Sequence, residues 1–181
     1  MTDPAPAPDA VAQRALLAFR QGRFAEAADG FGVARLAYSA AGDPLAEAEA
    51  ANNLSVALLQ AGRPDEALRA VEGSPETFDR LGDSARAAQA LGNLASALEA
   101  CGDLVAAEGA YTQALHRFTE LDDREAQATL LRSLSQLHLK RGRPIEALTT
   151  MQAGLERKPR RGLRDRWVQR LLALPSRLLG R

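Results

Sequence analysis

Along most of this chain apolar residues return every three or four positions, the period of helices with one buried face, rather than in the alternation of strands. Between Asp9 and Gln21, Val11, Ala15, Leu16 and Phe19 fall on one stripe, with Asp9 placed to cap the first turn and Gly22 to end the segment in a left-handed conformation. From Phe24 to Ala41, a second stripe holds Ala27, Ala28, Phe31, Ala34, Leu36 and Tyr38, and Gly42 closes it. Helix, tight turn, helix is the unit. It begins again at Asp43-Pro44, a cap followed by a proline at the first helical position, where its missing N–H costs nothing, and this helix is predicted to run to Ala61. Gly62-Arg63-Pro64-Asp65-Glu66 then stops one helix and starts the next, with two acids where the helix dipole favours them. Gly142-Arg143-Pro144-Ile145-Glu146 does the same 80 residues later. One second helix departs from the pattern: Gly73-Ser74-Pro75 puts a proline in its interior, which predicts a kink or a split near Gly73, with Ser74 capping a restart at Pro75.

The units are copies of one template. Gly22, Gly62, Gly102 and Gly142 are spaced 40 residues apart. Small residues keep the same stride before them (Ala15, Ser55, Ala95, Ser135) and after them (Ala27, Ala67, Ala107, Ala147, then Ala34, Ser74, Ala114, Gly154). Self-similarity at this period signals a solenoid, in which each unit buries its apolar face against its neighbours.

Paired helices with small residues at three fixed registers resemble the tetratricopeptide repeat, whose helices approach closely because an alanine or glycine sits where their backbones cross. The large apolar positions match as well: Leu54, Leu94 and Leu134 in first helices, Phe31, Tyr111 and Met151 in second helices. The resemblance covers about residues 9 to 159. It implies an all-α, right-handed α-solenoid of four helix-turn-helix repeats (9–42, 43–82, 83–122, 123–158), preceded by a tail over 1–8 and followed by a basic amphipathic C-terminal helix over 159–181. A stride of 40 is longer than the family's usual 34 or so, and is similar to the long-helix variety found in kinesin light chains. HEAT and armadillo repeats have comparable periods, but neither explains the small-residue registers. In the first unit Arg14 stands where the other units have leucine, which marks that unit as a degenerate cap.

Composition sharpens this in two places. Apolar content is 46% but aromatic content only 4%, with alanine and leucine dominant, which favours helix over strand. The net charge of zero hides a division: residues 157–181 carry nine Lys/Arg and one acid, leaving 14 basic and 22 acidic residues in 1–156. The lone Cys101 forms no intramolecular disulfide and suits a reducing compartment. With no apolar run of membrane-spanning length and no secretory start, the cytoplasm is the expected location.

Catalytic chemistry finds few candidates. His116 and His138 stand alone on predicted helices without ligand-spaced partners, Cys101 has no neighbour to stabilise a thiolate, and Gly92-Asn93 sits inside a helix, a poor context for a phosphate loop. The chain reads as a non-enzyme with no cofactor and no metal. In the resembled family the first helices line a groove that receives a partner peptide or protein. The corresponding register here carries Gln13, Asn53, Asn93 and Ser133, flanked by Asn52, Ser96, Arg132, Gln136 and Lys140, and amides of this kind pair with a peptide backbone as donor and acceptor together. The lysine and asparagine of the family's carboxylate clamp are replaced by Ala12 and Leu16, so a reader of chaperone C-termini is not implied.

The C-terminal stretch has three readings. Leu163, Trp167, Val168, Leu171 and Leu172 form an apolar face that suits a cap on the solenoid, with Pro175 ending or kinking the helix. Trp167, Leu171 and Leu172 could instead enter a lipid interface while Arg160, Arg161, Arg164, Arg166 and Arg170 meet anionic headgroups. The same arginines suit an acidic protein or, less well, nucleic acid. The main expectation is therefore a protein–protein adaptor working through its groove, and the alternative is a peripheral membrane or nucleic-acid-associated factor working through its basic end.

Overall fold

The computed structural model describes residues 7–157, and these fold into helices alone. The helices are α1 (Pro8–Arg20), α2 (Phe24–Ala41), α3 (Pro44–Gln60), α4 (Pro64–Val71), α5 (Ser74–Arg80), α6 (Ser84–Ala100), α7 (Leu104–Glu120), α8 (Arg124–Lys140) and α9 (Pro144–Arg157). They stack as antiparallel pairs into an α-solenoid: α1 with α2, α3 with α4 and α5, α6 with α7, and α8 with α9. Each pair also packs on the next, through α2 against α3, α4 and α5 against α6, and α7 against α8.

Local chemistry explains the boundaries. Gly22, Gly62, Gly102 and Gly142 all have positive φ, between 72° and 89°, and each is followed by a residue whose N–H reaches back across the turn. These bonds run from Arg23 to Ala18 O, Arg63 to Leu58 O, Asp103 to Leu98 O and Arg143 to His138 O, at 2.8–3.0 Å, so the same left-handed closure ends every first helix. Asp43, Asp83 and Asp123, ahead of α3, α6 and α8, and Asp103, in the Gly102 turn ahead of α7, accept the N–H groups of Ala46, Arg86, Ala126 and Ala106 respectively at 2.9–3.0 Å. A side-chain cap of this kind contributes about 1 kcal/mol.

The twelve small residues of the three registers are all buried, from Ala15, Ser55, Ala95 and Ser135 to Ala34, Ser74, Ala114 and Gly154. Close approach is the reason. A Cβ added at Gly154 would lie 3.2 Å from Leu131 Cβ, and one at Gly30 would lie 2.8 Å from Ala15 Cβ. Between these contacts the larger side chains gather: Phe31, Leu58 and Val71 in one core, and Leu91, Tyr111, Leu130, Leu134 and Leu137 in another.

Four sequence expectations are corrected. Asp9 does not cap α1: Pro8 takes the first helical position after Ala7, and the Asp9 carboxylate instead accepts the Tyr38 hydroxyl at 2.7 Å. That bond, more than the accompanying burial, pushes the Tyr38 phenol up to about 12. The second helix of the second unit does split at Gly73, but Gly73, at φ 79°, is itself the cap residue. Ser74 is already helical and buried and makes no capping bond. Leu36 is exposed, because two residues beyond buried Ala34 is about 200° round the helix. Met151, placed among the large core positions, is 48% exposed, since among the described residues no helix follows α9 to cover it.

Candidate functional site

The first helices of the third and fourth pairs, α6 and α8, do not close on each other. Between them lies a cleft of about 530 Å³ with α7 at its floor. From α6 it is lined by Arg86, Gln89, Gly92, Asn93 and Ser96, from α8 by Glu125, Thr129, Leu130 and Ser133, and from α7 by Tyr111 and Phe118. The spacing follows from helix geometry, because residues four apart share a face: Gln89, Asn93 and Ser96 form one polar wall, and Thr129 and Ser133 the other. Leu130, Phe118 and the ring of Tyr111 provide apolar surface below.

Tyr111 organises the floor. It is 3% exposed, its hydroxyl lies 3.0 Å from Ser96 Oγ, and it donates to Glu99 Oε2 at 3.0 Å. Burial pushes its phenol up to about 12, and the nearby Glu99 carboxylate adds to the effect, so the hydroxyl keeps its proton throughout the neutral range. Glu99 is held in turn by Lys140, whose ammonium lies 2.7 Å from its other oxygen and so ties α8 to α6.

The residues read from the sequence divide accordingly. Asn93, Ser96 and Ser133 line the cleft. Asn52 does not present its amide to solvent: it is 6% exposed and its Oδ1 accepts from Asn93 Nδ2 at 2.9 Å, so the pair fastens α3 to α6. Asn93 keeps its carbonyl oxygen and a second N–H. Lys140 is engaged by Glu99, while Gln13, Arg132 and Gln136 are exposed and, like half-buried Asn53, stand outside the cleft. Arg160, Arg161, Arg164, Trp167, Leu171 and Leu172 lie outside the described residues. Gln89 and Thr129 were missed, although each sits four residues before a residue that was named, Asn93 and Ser133, and helical periodicity alone could have found them.

Other polar groups are tied up in structure. Arg141 and Arg143 both pair with Glu108, and His138, whose buried Nδ1 has no hydrogen-bond partner, stands 3.6 Å from Glu146 and 4.0 Å from Glu108. His116 is exposed beside Glu120 at 3.7 Å. Desolvation, and then Asp65 at 3.7 Å, push the Cys101 thiol up, away from a reactive thiolate. Among the described residues no group of three His, Cys, Asp or Glu could hold a metal ion, and no helix is long and apolar enough to cross a membrane.

Two family models match the sequence, both describing the tetratricopeptide repeat: one over residues 86–160, the other over 8–29 and 45–72. No curated protein matches it. Among solved structures, BtubC (BKLC) from P. vanneervenii superposes with a TM-score of 0.75 at 21% identity, over 89% of this chain and 72% of that one. A Rap protein complexed with Competence and Sporulation Factor gives 0.73 at 16% identity, over 83% of this chain and 42% of that one. The Rap conjugation gene regulator of plasmid pLS20, in complex with the Phr* peptide, gives 0.67 at 16%, over 86% and 44%. The chain thus spans under half the length of these Rap proteins, and at such identities the likeness is one of fold.

Proposed function

The chain is a tetratricopeptide repeat protein, and from that premise we propose that it is a protein-interaction adaptor that takes an extended segment of partner polypeptide into the cleft between α6 and α8. The observation that carries this reading is the cleft's two-walled polarity over an apolar floor. Gln89 and Asn93 on one side and Thr129 and Ser133 on the other can satisfy the donors and acceptors of an extended backbone, while Leu130, Phe118 and Tyr111 accept an apolar side chain. Carbonyls and N–H groups of an incoming chain lose water on entry and need such partners. The Rap complexes, solved with a factor and with a peptide, lend support as relatives in fold.

Selection from a displayed peptide library tests this. Wild-type protein is expected to enrich peptides that the variant Gln89→Ala/Thr129→Trp binds at least about tenfold more weakly, a loss of about 1.4 kcal/mol. Gln136→Ala, outside the cleft, should bind them as wild type does. Equal binding by the cleft variant, with circular dichroism unchanged, would move the site elsewhere.

A further inference from the structure

Residues 1–156 are acidic, with 22 carboxylates against 14 basic residues, yet arginines that pair with no carboxylate gather where α2 and α4 flank α3. Two adjoining hollows of about 480 and 260 Å³ lie there, and Arg35, Arg69 and Ala70 line both. We propose that this double hollow, formed by second helices and separate from the α6–α8 cleft, is a second docking site. It takes an acidic side chain of a partner polypeptide together with an apolar residue beside it.

Arg63, in the first hollow, is already engaged, gripping Glu66 through two nitrogens at 2.7 Å. Arg35, Arg69 and Arg80 form no ion pair among the described residues, and Arg80 donates only to Thr77 Oγ1, at 3.0 Å. Arg35 is half-buried, and its Nε lies out of water with no acceptor. A buried donor on a charged group is costly when nothing accepts from it, and a ligand oxygen relieves that cost. The repeat does not demand these arginines. At the register of Arg35 the later units carry Pro75, Leu115 and Leu155, and at that of Arg69 the other units carry Asp29, Gly109 and Thr149.

The last pair of helices shows which chemistry belongs at this register. Arg143, 80 residues beyond Arg63, holds Glu146 as Arg63 holds Glu66, and at 3.5 Å it reaches a second carboxylate, Glu108 of α7, which Arg141 also grips. The counterpart of Glu108 on α2 is Ala28, which lines the first hollow. Thus α7 supplies the anion from the chain itself, and α2, with a methyl group there, leaves it to a partner. The apolar half of the ligand follows from Val33 and Leu36, 55 and 64% exposed, which line the same hollow with Leu54. Asp29, Glu47 and Glu72 also line the hollows, without pairing with these arginines. That mixed charge narrows the ligand class: a single carboxylate finds its guanidiniums, whereas the successive phosphates of a nucleic acid would be brought against acids. This inference does not depend on the peptide cleft.

A displayed peptide library selected on the full chain carrying Gln89→Ala/Thr129→Trp, which obstructs the cleft, tests this site separately. The expected peptides carry Asp or Glu next to Leu, Ile, Phe or Met. Adding Arg35→Gln/Arg69→Gln should weaken them at least about tenfold, with circular dichroism unchanged, and their affinity should fall as salt is raised. Arg69→Gln alone, at an exposed position that leaves half-buried Arg35 in place, should weaken them in the same direction. Arg69→Glu should regain binding when the acid of the selected peptide is replaced by lysine, an exchange that a merely structural role of Arg69 would not produce. Acidic peptides that bind the arginine variants unchanged would overturn the proposal. So would a selection that enriches nothing or shows no acidic preference, or a single-stranded oligonucleotide that binds as tightly as the peptides.

Discussion

Gly30 and Gly109 both sit inside helices, where glycine costs roughly 1 kcal/mol relative to alanine, yet the structure gives them opposite roles. An added Cβ at Gly109 would meet nothing within 4 Å, whereas one at Gly30 would come to 2.8 Å from Ala15 Cβ, a side chain with no rotamer to yield. The clash outweighs the propensity gain at Gly30 and is absent at Gly109. Gly109→Ala should therefore stabilise by about 0.5–1 kcal/mol and Gly30→Ala destabilise by about 1–3 kcal/mol, both read from urea unfolding midpoints. A Gly30→Ala variant that stabilised the chain would refute the assigned α1–α2 contact, and a destabilising Gly109→Ala would refute the open space at that position.

Among the elements, α4 and α5 are the departure, a second helix broken into two short pieces by Gly73 and Pro75. Neither piece is long enough to hold by propensity alone, so tertiary contacts fix both. Phe78 anchors α5 in a small core with Ala48, Ala87 and Ala90. Asp79 then ties α5 to α7 through a two-pronged contact with Arg117, one prong at 2.8 Å. The Arg117 hydrogen bonds hold the Asp79 carboxyl below its ordinary range. A depressed carboxylate adds stability at pH above its unfolded value and loses it as pH falls through the folded one. Both groups are about a third exposed, so screening keeps the contribution small. Asp79→Asn is expected to cost about 0.2–1 kcal/mol at neutral pH, with the gap to wild type closing in acid and in molar salt. A gap that persisted in acid would mean that the ion pair was not its source.

At the scale of the molecule, stability is a sum of repeat and interface terms rather than the property of one core. The inner helices α3, α6 and α8 bury residues along their whole length, whereas α1 buries only Ala15 and Ala18, and α9 only Ala147 and Gly154. Native-state hydrogen exchange should accordingly find the slowest amides in α6 and its neighbours, with α1 exchanging through local opening well below the global free energy. Uniform protection from α1 to α8 would show a single cooperative unit instead.

The amino-acid sequence by itself determined the helices, their turns and their stacking order. Each of these is a short-range consequence of period, glycine and proline placement, and small residues recurring at a fixed stride, and residues 40 apart report the same environment without reference to a third dimension. A part of the candidate site was legible in the same way: Asn93, Ser96 and Ser133 follow from register. Only the tertiary structure decided which polar residues remained free. Asn52 and Asn53 are neighbours in one helix, yet Asn52 is turned into an interhelical bond because α6 approaches it, and Lys140 is drawn off by a glutamate 41 residues away. Likewise Met151 reads as core in the repeat, and its exposure follows from what packs, or does not pack, on α9. Periodicity fixes the face on which a side chain sits, but whether that face meets water, a partner or another helix depends on long-range neighbours whose distance and angle no local pattern encodes.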